Sequence, residues 1–198
     1  MIRFLKYLFL QFYCMDMDDI LWLMWWMTVG FLVICKYFGT RKWMKQLTGA
    51  ALLCFLAVIA VATVGDRTGA GAVTVKLIPF HSYREVRSGG NPEIYRSNFM
   101  NAVLFYPAGL LCAMLLPATW PKWSRILLTT ALFAVMSVGL EGAQYIWRLG
   151  RVEIDDVIHN TAGALAGSLA ALYVPELLAW LAEKNRHAWE MYDYYRQN

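Results

Sequence analysis

Apolar residues gather in five runs, each long enough to cross a bilayer: Ile20–Phe38, Leu47–Val64, Asn98–Leu116, Ile126–Trp147 and Val157–Val174. A spanning helix needs roughly 20 mostly apolar residues, so each run predicts one span. Polar stretches separate them. Asp18 and Asp19 stand at the start of the first run, where they are expected to cap its helix. Pro107 lies inside the third and is expected to kink it, its freed carbonyl satisfied by neighbouring helices. Pro175 is expected to end the fifth. The tail beyond it sets Trp180, Trp189, Tyr192 and Tyr195 among charges, the pattern of an amphipathic interfacial helix. The N-terminal MIRFLKYLFLQFYC joins basic residues to an apolar stretch with no small-residue cleavage site after it. It is expected to be retained, in the interface or as an extension of the first span. No repeat or low-complexity segment interrupts the pattern. The predicted fold is all-α: a polytopic transmembrane bundle of about five spans with amphipathic terminal segments, residues 1–198 forming a single membrane domain.

Composition strengthens that picture. The chain of 198 residues is 59% hydrophobic, 15% aromatic and 16% charged, with a mean hydropathy of +0.42. A soluble domain averages about 25% charged residues, and a chain this short would leave too much apolar surface in water. The formal net charge of +4 is ordinary for a membrane protein and gives no reason to expect a nucleic-acid partner. Of the four cysteines, Cys14, Cys35, Cys54 and Cys112, three fall inside apolar runs and none has a metal-ligand spacing. They are expected to pack as buried small hydrophobes. No metal and no cofactor is expected.

Charge also suggests an orientation. The short stretch 39–46 carries Arg41, Lys42 and Lys45, with Lys36 just before it. Lys122 and Arg125 stand on the same side, as do Lys184, Arg186 and Arg196 of the tail. The excess of Lys and Arg in short cytoplasmic loops predicts a cytoplasmic C-terminus, with the N-terminus and the loop 65–97 outside.

Against this background a few polar residues stand out. On the fourth run Thr130, Ser137, Glu141, Gln144 and Arg148 fall near one line of a helix. A charge at mid-span costs about 2.5–3.5 kcal/mol on insertion scales, so such residues normally face the bundle interior and find partners there. Partners are at hand on the fifth run. Asp155 and Asp156 stand at its start, where a helix N-terminus favours carboxylates. Asp156, Asn160, Gly163 and Gly167 continue as one stripe, the two glycines in a GxxxG pair that admits a close helix neighbour. The third run adds Asn98 and Asn101. The path of the chain brings the ends of the third, fourth and fifth runs together. Glu141, Gln144, Arg148, Arg151, Asp155, Asp156, Asn160 and Asn101 are therefore expected at one level near the outer leaflet.

These residues, from Leu77 to Gly167, resemble the VanZ-like family of bacterial membrane proteins. The resemblance rests on LIPF at 77–80, on NAVLFYPAG from Asn101, on SVGLEGAQ with Ser137, Glu141 and Gln144, and on GRVEIDDVIHNTAGALAG from Gly150 to Gly167. Lys76 stands where the family often has Asn before LIPF. The resemblance implies a multi-pass protein of the bacterial plasma membrane. The member that gives the family its name is associated with low-level resistance to teicoplanin, a glycopeptide that binds cell-wall precursors outside the membrane. That setting implies a partner among membrane lipids, lipid-linked cell-wall precursors or glycopeptide antibiotics.

Three classes of function stay open on the residues. In an intramembrane enzyme, Glu141 would act as general acid or base and Asp156 as its catalytic partner. Arg151 would hold an anionic group, and Asp156 with Asn160 would position it. In a binding module the same cavity, with Asn101, Gln144, Arg148, Arg151, Asp155 and Asn160, would hold a lipid-linked or amphipathic ligand without chemistry. In an accessory subunit the polar cluster would only orient helices, as buried ion pairs can. No activated Ser or Cys nucleophile is visible, and the Asp pair supplies too few ligands to predict a metal.

Overall fold

A computed structural model of the chain describes residues 15–38, 42–65 and 73–197. The N-terminal segment expected in the interface lies outside them. Helix α1 spans Met17–Phe38 and α2 spans Lys42–Ala60, the latter continued by a π-helical turn at Val61–Gly65. Strand β1 (Thr74–Lys76) and the short helix α3 (His81–Arg87) follow. Then come α4 (Glu93–Leu115), α5 (Lys122–Ile146), β2 (Arg151–Glu153) and α6 (Ile154–Gln197). Among the described residues four helices are long and apolar enough to cross a membrane: Trp43–Thr63, Glu93–Leu115, Lys122–Ile146 and Ile154–His187. The remaining expected span falls on α1. The fold is an all-α membrane bundle.

The seam between α4 and α6 is the spine of the bundle. Glycines make it possible. A Cβ on Gly163 would strike the Ala102 carbonyl, and one on Gly167 the Tyr106 carbonyl. From the other side, a Cβ on Gly109 would strike the Ala164 backbone. Lipid tails are as apolar as Leu side chains, so burying apolar area gives helices little reason to associate in a bilayer, and close backbone approach must supply the attraction instead. Around the seam, Ile59, Phe105, Ala108, Phe133 and Ala164 form the central core. Phe105 and Phe133 meet edge to face, centroids 6.0 Å apart. Large apolar side chains also cover the outside, Leu53 at 69% and Val135 at 73% exposure among them. Such a surface suits lipid, not water.

Three expectations are corrected. Pro175 does not end the fifth span, for α6 runs through it to Gln197. A proline removes one backbone donor, which a membrane helix can tolerate. The tail is therefore continuous with α6 and not a separate interfacial helix. Asp18 and Asp19 lie within the first turn of α1, where the helix dipole favours them. The capping place is taken by Asp16, whose carbonyl receives the Ile20 N–H at 3.1 Å. Among the described residues the cysteines are not buried: Cys54 is exposed, and Cys35 and Cys112 are half-buried, while Cys14 lies outside the described residues.

Candidate functional site

The polar residues of α4, α5 and α6 meet at one end of the bundle, where α5 ends and α4 and α6 begin. Each helix holds its members by a different contact. Asn101 on α4 donates to the Asp156 carboxylate at 2.8 Å. Asn160 on α6 donates to the Ser137 hydroxyl on α5 at 2.8 Å, both side chains buried. Glu141 is buried and accepts the backbone N–H of Glu153 in β2 at 3.0 Å. Gln144, at 1% exposure, donates to the Thr63 carbonyl at 3.1 Å. That carbonyl belongs to the π-helical turn, whose wider hydrogen-bond spacing disturbs the ordinary helical ladder.

Strands β1 and β2 close this end. They pair in parallel, Thr74 opposite Arg151 and Lys76 opposite Glu153. Alternation along β2 buries Val152 and leaves Arg151 exposed and Glu153 half-buried. The Glu153 carboxylate lies 3.5 Å from Arg151 Nε and 3.9 Å from Lys76 Nζ. Its Oε1 is buried without a hydrogen bond. Lys76 also pairs with Glu85 of α3 at 2.6 Å, which together with the ammonium charge holds the Glu85 carboxyl below the usual carboxylate range.

Asp155 has a different task. Its carboxylate is 2% exposed and accepts the backbone N–H of Phe80 at 2.5 Å and that of Ser82 at 2.8 Å. The Ser82 hydroxyl donates to it as well, and Asn98 donates to that hydroxyl at 2.9 Å. Neighbouring acids on a helix point about 100° apart, so the spacing favours Asp156 over Asp155 for the interior. The structure finds partners for both, because the segment before α3 folds back to meet Asp155. His159 extends the same contact region: its Nδ1 donates to the Asp155 carbonyl at 2.6 Å, and its Nε2 accepts the Tyr83 hydroxyl at 2.7 Å.

Arg148 is not part of this gathering. Helix α5 ends at Ile146, and Arg148 sits beyond it at φ 52°, exposed. The helical line that placed it beneath Gln144 stops before reaching it. Arg151 is brought to the cluster, on its exposed rim.

A cavity of about 180 Å³ opens here, lined by Asn91, Glu93, Ile94, Ser97, Asn98, Arg151 and Glu153. At ~30 Å³ per water molecule it has room for a small polar head group. Arg151 can take an anionic oxygen, and the two carboxylates and the amides can take donors. Glu141 does not line it but bonds the backbone N–H of Glu153, which does. Sequence reasoning passed over Glu153, Ser82 and Thr63. Glu153 had a signal, in the alternation of Arg151, Val152 and Glu153. Ser82 and Thr63 had none, since only the folded chain brings them near α6 and α5.

The sequence matches the VanZ/LLP1 family over residues 47–178. The chain belongs to that family. The match takes in most of α2, all of α4 and α5 and the first half of α6, with every residue of the polar cluster described above. Neither curated proteins nor solved structures give a match. As a VanZ-like membrane protein the chain is linked, at the level of its family, to resistance.

Proposed function

We propose that this VanZ-like protein binds the head group of a lipid-linked or amphipathic ligand at the outer leaflet of the bacterial plasma membrane, and acts through it in glycopeptide resistance or cell-envelope homeostasis. The observation that carries the reading is the cavity beside β2, where Arg151, Glu153 and Asn98 share one wall set at the polar end of three spans. The hydrogen bonds already held by the neighbouring acids support binding over catalysis. Asp155 is engaged with Phe80 and Ser82, Asp156 with Asn101, and Glu141 with the N–H of Glu153. The density of Lys and Arg in the short loops at the opposite end supports an external N-terminus and a cytoplasmic C-terminus, an orientation in which the cavity would face the side where glycopeptides and cell-wall precursors meet.

The test is teicoplanin and vancomycin susceptibility of a sensitive Gram-positive strain expressing the wild type, Arg151→Gln, Glu153→Gln, Glu141→Gln or Asp156→Asn, with membrane abundance measured by blot. The wild type should protect against teicoplanin. Arg151→Gln and Glu153→Gln should lose that protection at unchanged abundance. Glu141→Gln and Asp156→Asn should lose abundance together with protection. An abundant wild type that gives no protection defeats the resistance reading. Full protection from both cavity variants defeats the site.

A further inference from the structure

We infer that the segment Leu77–Tyr83 is a membrane anchor, inserted among the head groups of the leaflet at the polar end, and that Asp155 is the positioning residue that latches it there. This does not depend on what the cavity binds. The segment exposes Leu77 at 67%, Ile78 at 55% and Phe80 at 55%, followed by the half-exposed Tyr83. Three large apolar side chains more than half exposed within four residues would be costly in water.

Phe80 makes the point most sharply. It adopts φ 58°, a conformation that L residues other than Gly rarely take. A buried carboxylate on its N–H holds it there. Arg84 braces the bend by donating to the Pro79 carbonyl at 2.8 Å. The outcome is a phenyl ring left 55% exposed, meeting Tyr83 edge to face with centroids 6.1 Å apart. Such an arrangement is sensible where the surroundings are apolar.

Depth follows from two independent contacts. Ser82 is tied to Asn98 of α4, and Tyr83 both bonds to and stacks on His159 of α6, ring centroids 5.7 Å apart. Asn98 and His159 each lie five residues into their helices, about 7.5 Å from the helix start. The apolar runs of these two helices begin at Asn98 and Val157. The segment therefore descends beside the bundle to the level where both spans enter the membrane. Tyr83 and Tyr95 suit the interfacial belt, and Arg84 and Arg87 stand where lipid phosphates would meet them. The occupant of the segment's exposed face is lipid.

The experiment places a nitroxide at Phe80→Cys, and for comparison at the exposed Ser88→Cys, in full-length protein with its native cysteines replaced. The protein is reconstituted in phosphatidylethanolamine–phosphatidylglycerol vesicles. The label at 80 should respond to oxygen, lose access to a water-soluble nickel chelate, and report a depth of about 5–10 Å below the phosphates. The label at 88 should stay in water. Adding Asp155→Asn should move the label at 80 towards water and leave that at 88 unchanged. Equal chelate access at 80 and 88 overturns the anchor, and an unmoved label in Asp155→Asn overturns the latch. Hydroxyl-radical footprinting of the unsubstituted protein gives a reading free of any folding defect. Phe80 and Tyr83 should escape oxidation in vesicles and be oxidised once the protein is denatured. Oxidation at the denatured rate in vesicles overturns the proposal, as does protection that disappears on diluting the protein in the bilayer, which would put a second copy on this face.

Discussion

The two halves of the bundle are built on opposite principles. At the polar end, buried side chains tie segments far apart in the chain to one another: Asp155 to Phe80 and Ser82, Gln144 to Thr63, Glu141 to Glu153. The space left over there is about 180 Å³. In the far half, Leu32, Val33, Met114, Ala171, Pro175 and Leu178 line an apolar groove of about 480 Å³ between α1, α4 and α6. One polar contact crosses it between helix middles, the Thr28 and Tyr106 hydroxyls bonding at 2.8 Å, and others sit at the helix ends. Arg125 donates twice to the Ala113 carbonyl near the end of α4, and Lys122 pairs with Glu176. The difference teaches how a bundle specifies itself in lipid. An apolar groove costs little when acyl chains can fill it, so nothing compels the far half to close. A polar group facing hydrocarbon does cost, so the polar end must find partners, and in finding them it fixes the register of three helices.

The largest break in this comparison should come from the seam that both halves share. Gly163→Leu drives a side chain into the Ala102 backbone, which cannot yield as a flexible side chain would. Overpacking of this kind costs about 1–3 kcal/mol even where side chains can shift. Loss of a monodisperse species in detergent chromatography is the expected result. Ala179→Leu, which adds bulk in the open groove, should leave the elution profile and thermal midpoint unchanged.

A smaller effect should come from the buried Asn160–Ser137 contact. Interhelical hydrogen bonds of membrane proteins average ~0.6 kcal/mol in double-mutant cycles, with a maximum of ~1.7. A cycle of Asn160→Ala and Ser137→Ala, read by reversible unfolding in mixed micelles, should give a coupling within that range. A coupling of zero would remove this pair from the set that fixes register.

The smallest effect should be at the rim. The Lys76 hydrogen bond and charge hold the Glu85 carboxyl below its ordinary value, against the opposing effect of desolvation. A carboxylate lowered in the folded state stabilises it above the unfolded value and loses that contribution as pH falls through the folded one. Amide exchange over residues 81–87 should therefore speed up as the medium is acidified through the carboxylate range. Lys76→Gln should raise exchange at neutral pH and flatten the dependence. An unchanged profile in that variant would show that Lys76 does not order α3.

Much of this was legible because membrane helices obey few rules, and those rules are local. Length and apolar run marked the spans. The GxxxG spacing marked the seam, since only small residues admit another backbone. Glu141, Asn160 and Asp156 stood out as polar residues in apolar helices that must find partners. Arg148 was misplaced for an equally local reason: a helical line holds only while the helix does, and α5 ends two residues earlier. Pro175 misled in the opposite direction, because a soluble-protein rule for helix ends is weaker in lipid.

The sequence by itself determined that this chain lives in a membrane, roughly where it crosses, which residues pack the central seam and to which family it belongs. Each follows from composition, spacing along one helix or a matched motif. Only the tertiary structure decided that Asp155 serves the segment before α3, that Glu153 faces the cavity and that Phe80 is left exposed in a left-handed conformation. Those outcomes join residues about seventy positions apart. Their pairing depends on the path of the loop between spans and on a two-strand register, neither of which a helical period can carry.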